Sequence, residues 1–189
     1  MPLFDLKKQL VFYGAYHADP TNVKIHITCV PILLATGFLF ATNTPSLRTP
    51  PLLTKLHLPL NLGTLAATTY STLYLLLSPN VAGAALAPLV MAAGALANYL
   101  TATYNRRKAN TVAVGVHVVC WILQFIGHGK FEGRKPALLD NLVQALFLAP
   151  MFVWYEVLFK FGFYKELRKE VEERVAAERR KLKEGKKGE

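Results

Sequence analysis

Long apolar runs without a charged face constrain this chain more than any other feature. Val23–Thr42, Leu60–Ser78, Val81–Thr103 and Thr111–Ile126 each approach the roughly 20 residues needed to cross a hydrocarbon core. A surface helix of a soluble protein carries a polar stripe, and these stretches have none. Strand alternation is absent, and only helices or closed barrels satisfy their backbones in lipid. The expected fold is therefore all-α: a polytopic membrane helical bundle of about four spans. Gly63, Gly83 and Gly94, set among alanines, suit close helix packing in a membrane. A fifth apolar stretch, Ala137–Phe163, contains Asp140, Asn141, Pro150 and Glu156. It is expected to be broken at Pro150 and re-entrant; a single straight fifth span is the second choice.

The 189 residues fit one domain, and charge divides them in two. Residues 165–189 hold 10 basic and 7 acidic side chains, against 12 and 5 in the first 164. The expected organisation is a membrane-embedded catalytic domain, 1–164, and a charged helical tail, 165–189, solvated on the cytosolic side. A net charge of +10 raises nucleic acid as a partner, but the basic residues flank apolar runs instead of forming a basic face. Membrane lipid is the expected partner. Lys7, Lys8 and Lys24 precede the first span, and Lys130, Arg134 and Lys135 follow the fourth, so the positive-inside rule favours both termini in the cytosol. Arg106, Arg107 and Lys108 fall on the opposite side and count against that topology. The first 22 residues lack the apolar core of a cleavable signal peptide. Cys29 and Cys120 both sit inside apolar runs, which argues against a disulfide scaffold.

Ionisable groups beside spans are costly and are functional suspects. His17 and His26 flank Asp19-Pro20, an N-cap followed by a good first helical residue. His17 then ends one helix, and His26 lies two turns into the next, sharing a face with Asn22. A sharp corner can aim both imidazoles at one point. His117 and His128 are eleven residues apart and project to one side of a straight helix, together with Gln124, but about 16 Å apart along its axis. Either Gly127 kinks the chain, or His117 serves elsewhere. Glu132 and Asp140 are the candidate catalytic carboxylates: metal ligands, partners for an imidazole, or salt-bridge partners of Arg134. Imidazoles from separate helix ends suit Fe(II), Zn(II) or Cu(II) better than Mg or Ca. No nucleophile triad, phosphate-cradling loop or dinucleotide fingerprint is present. His57, in a Pro-rich loop, reads as a surface residue.

Two motifs then carry a resemblance. Phe12-Tyr-Gly-x-Tyr-His17-x-x-Pro20-x-Asn22-Val-x-Ile-His26-x-x-x-Val30-Pro31 is the first. Trp121-Ile-x-Gln124-Phe-Ile-Gly-His128-Gly-x-Phe-Glu132-x-Arg134-x-Pro136-Ala-Leu-x-Asp140-Asn-Leu-Val-Gln144 is the second. Together they resemble the fungal 2-hydroxy fatty acid dioxygenases, iron-dependent multi-pass proteins of the endoplasmic reticulum that serve fatty acid α-oxidation in phytosphingosine breakdown. The resemblance implies Fe(2+) as cofactor and a 2-hydroxy fatty acid and O2 as substrates. The product is an acid one carbon shorter. It carries His17, His26 and His128 over as iron ligands, with His117 a further candidate. Arg134 or Lys135 would neutralise the substrate carboxylate, and Gln124, Asn22 and Asp140 would orient imidazoles or substrate. The competing reading is a non-enzymatic lipid-binding or scaffolding membrane protein whose histidines lock helices together.

Overall fold

A computed structural model describes residues 5–133 and 144–185. Every element among them is helical, and no strand occurs among the described residues. In chain order the helices are α1 (Leu6–Tyr16), α2 (Pro20–Ala41), α3 (Pro51–Lys55), α4 (Leu62–Leu77), α5 (Val81–Thr103), α6 (Arg106–Ile126), α7 (Ala149–Lys160) and α8 (Lys165–Gly185). Among the described residues, π-helical turns at Gly127–Glu132 and Gln144–Leu148 extend α6 and lead into α7. The chain divides into two compact units, one of residues 1–27 and 124–189 and one of residues 28–123.

Among the described residues three helices are long and apolar enough to cross a membrane, Pro20–Ala41, Val81–Thr103 and Arg106–Glu132, of 22, 23 and 27 residues, and the bent pair Ala145–Lys160 and Lys165–Arg180 makes a fourth if it is one broken span. Their outward residues fit that solvent. On α6, Val112, Val114, Val118, Val119 and Ile122 are all exposed, a flank that water would penalise and lipid would not. The second expected span is shorter than the sequence pattern suggests. At 16 residues, α4 rises only about 24 Å, short of a hydrocarbon core of about 30 Å. Its limits are chemical. Asn61 caps its start by accepting from the Thr64 amide, and Pro79-Asn80 follows its end, with Asn80 capping α5.

In the second unit α4 and α5 form an antiparallel hairpin. Its closeness needs Gly94, where an added Cβ would lie 2.5 Å from the Ala67 Cβ. Polar groups inside the pair are mutually satisfied: Asn61 donates to Asn98, and Asn98 to Thr64 and the Gly94 carbonyl. Cys29 and Cys120 are buried and free, as their apolar settings suggest.

In the first unit α1 packs against α7 and α8. Val175 covers Gly14, Val171 is buried, and Lys7 pairs with Glu170 at 2.6 Å. The tail helix is thus docked along one side as well as solvated along the other. The interruption expected at Pro150 falls elsewhere. Pro150 occupies the first turn of α7, where its missing N–H costs nothing. The chain bends by 116° between α7 and α8, at residues 161–164, where Gly162 (φ 81°) and Tyr164 (φ 55°) adopt left-handed backbone.

Candidate metal centre

The corner between α1 and α2 is built by local capping. His17 is the C-cap of α1, and Asp19 caps α2 by accepting from the amides of Thr21 and Asn22 at 2.7 and 3.1 Å. Pro20 then opens α2. The turn is closed from a distant part of the chain. Glu132 Oε2 accepts from the amides of Ala18 and Asp19 at 3.0 and 2.9 Å and from Asn22 Nδ2 at 3.3 Å. Its Oε1 accepts from Arg179 Nη1 at 2.8 Å, and its side chain is only 1% exposed.

His128 arrives on the π-helical turn. The α-helical register that would align it with His117 ends at Ile126. Gly127 makes the close approach possible, since a Cβ there would sit 2.4 Å from Asn22 Oδ1. π-turns inside helices are frequent at functional sites.

These elements bring His17, His26 and His128 together. Their ring centroids are 4.4, 4.7 and 4.9 Å apart, all three rings are buried, and one nitrogen of each lies within 4.8 Å of the others. His17 Nδ1 donates to the Tyr13 carbonyl and His26 Nδ1 to the Asn22 carbonyl, each at 2.9 Å. A carbonyl only accepts, so the proton sits on Nδ1 and the Nε2 lone pair is left for a ligand role, the usual arrangement around a metal-bound imidazole. Tyr13 stacks on His17 at 3.9 Å. Burial, reinforced by His26, holds His17 well below its ordinary pKa of 6.5, and metals bind the neutral ring.

A first-row metal fits this donor set. Three donors 4.8 Å apart would surround a point about 2.8 Å from each, so side-chain shifts under 1 Å reach metal–nitrogen distances of about 2.0–2.1 Å. Polar atoms nearby also await partners. Among the described residues, Tyr13 Oη, Asn22 Oδ1 and Gln124 Nε2 are buried and without a hydrogen bond. A polar ligand at the site would supply them.

The other expected residues fall as follows. Asn22 and Gln124 are buried beside the histidine-bearing segments. Glu132 is fully engaged with backbone, Asn22 and Arg179, as a clamp on the corner. His117 is outside the cluster: its Nε2 accepts from Trp121 Nε1 at 3.0 Å, and its Nδ1 meets Thr36 Oγ1 at 2.7 Å. Both of its nitrogens are therefore committed within the helices. Arg134, Lys135 and Asp140 lie outside the described residues. His57 is exposed, as expected. The sequence did not single out Arg179; it offered Arg134 as the ion-pair partner of Glu132, and the scarcity of acids before the tail was the only signal that Glu132 mattered.

Helices that suit lipid and a buried cluster of three imidazoles able to hold a metal ion define the class: a membrane protein with a candidate three-histidine metal centre. Residues 3–161 match the family described as 2-hydroxy-palmitic acid dioxygenase Mpo1-like. The chain is 35% identical over 181 residues, 95% of both chains, to a protein of Saccharomyces cerevisiae (strain ATCC 204508 / S288c) named 2-hydroxy-palmitic acid dioxygenase MPO1. It belongs to the Mpo1-like family. No solved structure matches it.

Proposed function

We propose that this protein is an Fe(II)-dependent dioxygenase that shortens 2-hydroxy fatty acids by one carbon. The observation that carries the reading is the buried His17–His26–His128 cluster in a chain of this family. The reaction balances without an external reductant. A 2-hydroxy acid and one O2 give the shorter acid, CO2 and water; the C1–C2 bond breaks, and the four electrons lost by the two carbons reduce O2.

Bound Fe(II) would supply O2 activation and open positions for an oxygen-donor substrate. The protein's own groups do the rest. His17, His26 and His128 hold the metal, and the Tyr13 and Asn22 carbonyls fix two of the rings. Glu132 keeps the α1–α2 corner closed. Asn22 Oδ1 accepts from the 2-hydroxyl, and Gln124 Nε2 donates to the hydroxyl or carboxylate oxygen. Arg134 or Lys135 meets the carboxylate on its way in, and Asp140 supports an imidazole; these three roles rest on the sequence motif. Residues 1–164 hold the metal ligands, and the basic tail faces the cytosol with the N-terminus, in the endoplasmic reticulum membrane. A substrate dissolved in lipid reaches such a site without crossing water.

The test is metal analysis of the purified full chain coupled to O2 uptake with 2-hydroxypalmitate, and with palmitate as control. Iron near one per chain and uptake only with the hydroxy acid are expected. Metal-free protein without hydroxy-acid-dependent uptake would refute the reading and leave the histidines as helix-locking groups.

A further inference from the structure

A cleft of about 630 Å³ opens in the first unit directly beside His17. That volume suits a drug- or lipid-sized ligand. Its lining includes the apolar Val23, Phe159, Val171, Val175 and Ala176. It also includes Lys24, Lys160, Arg168, Arg179 and Arg180 against two carboxylates, Glu156 and Glu172. Part of that charge is already spent. Arg168 pairs with Glu172 at 2.7 Å and donates to the Phe159 carbonyl. Arg180 has no acid within salt-bridge distance among the described residues.

Arg179 is arranged differently. Its Nη1 is held by Glu132, the carboxylate that also grips the Ala18 and Asp19 amides next to His17. The guanidinium is thereby fixed at the histidine end of the cleft. Its side chain stays 30% exposed, and a guanidinium has five N–H donors in a planar fork. A carboxylate is the matching acceptor.

We infer that this cleft seats the free 2-hydroxy acid, with Arg179 and Arg180 binding its carboxylate at the His17 end and the acyl chain lying along Phe159, Val171 and Val175. The assignment rests on the proposed reaction for the substrate's identity. It also makes α8, which lies beyond the family match at residues 3–161, a wall of the site. An ester of the same acid has the same tail and hydroxyl but no anion, so it should be rejected.

The experiment is photo-crosslinking of the full chain in phosphatidylcholine nanodiscs, with and without iron. The probes are a diazirine-bearing 2-hydroxypalmitate, its methyl ester and a diazirine phosphatidylcholine. Labelled peptides are mapped by mass spectrometry. The free acid should label α7 and α8 around Phe159 and Val171–Ala176, and the ester at least about tenfold less, the loss expected for one charge-assisted contact. Arg179→Lys keeps a cation for Glu132 and Arg180→Gln leaves that pair untouched. Each should raise KM for 2-hydroxypalmitate about tenfold or more, with iron content unchanged and kcat within a few-fold. Label elsewhere, equal label from the ester, or equal label from phosphatidylcholine overturns the inference. Acid-selective label in the cleft of a protein without turnover would sustain the cleft and refute the oxidation reading alone.

Discussion

Replacing Glu132 separates a charge that builds the metal corner from one that binds metal. The carboxylate is 1% exposed and accepts four hydrogen bonds, from Ala18, Asp19, Asn22 and Arg179. Their strengths do not add, because Ala18 is exposed and Asp19 half-buried, so both amides rehydrate when the acid is lost. Arg179, at 30% exposure, also regains water. Breaking a buried ion pair costs about 3–5 kcal/mol, and those reliefs place Glu132→Ala near the low end, about 3 kcal/mol. For a chain of this size that is a fall in Tm of about 6–12 °C. Glu132→Gln keeps an acceptor for the two backbone amides and loses the charge on Arg179, for about 1 kcal/mol. Because the corner sets the relation of His17 to His26, Glu132→Ala should also weaken iron binding about 10–100-fold, and Glu132→Gln much less. The assay is thermal unfolding in detergent with parallel iron titration. Wild-type iron affinity in a folded Glu132→Ala protein would show that the clamp does not organise the site. Complete iron loss in Glu132→Gln at wild-type Tm would mean that the carboxylate is itself a ligand.

Three further outcomes are expected. His117→Leu should lower stability by about 1–2 kcal/mol, since Thr36 and Trp121 each lose a partner, while iron content stays at the wild-type level; iron loss would place His117 among the ligands. Gly127→Ala forces a Cβ to within 2.4 Å of Asn22 Oδ1 and should cost about 1–3 kcal/mol with reduced iron occupancy, read by Tm and metal analysis; an unchanged Tm would contradict the packing. Unfolded His17 takes a proton near pH 6.5 and the folded ring resists it, so the metal-free protein should lose stability as pH falls below that value and show no change from this residue above it. A His17→Phe variant should flatten that dependence, and a Tm that rises on acidification in the wild type would contradict it.

Much of the architecture was legible because its causes are local. Apolar runs of span length, Asp19-Pro20 as a helix start and Pro79-Asn80 as a break all act within a few residues. His17 and His26 could be placed at a corner for the same reason, and the second motif supplied His128. What escaped is non-local or depends on a departure from α-helical register. The eleven-residue spacing of His117 and His128 points to one helix face only if the helix continues, and it widens at Gly127. Pro150 looks like a breaker until it is seen to start a helix, while the true bend at 161–164 rests on left-handed backbone at Tyr164 that sequence does not announce. The Glu132–Arg179 pair joins residues 47 apart. The stripe that docks α8 is as short as Val171 and Val175, too slight to stand out in a run of charges.

The 116° bend between α7 and α8 lets neighbouring stretches of chain answer to different solvents. An apolar helix stops, and a highly charged one turns away from its axis while still delivering one guanidinium back to a buried anion. Shortening the chain anywhere before residue 179 would take from that anion its ion-pair partner and leave it only the Ala18, Asp19 and Asn22 donors. A segment whose composition suggests a dispensable extension is therefore coupled to the folding of the oily half, and a trimmed or reordered end should report first as lost metal.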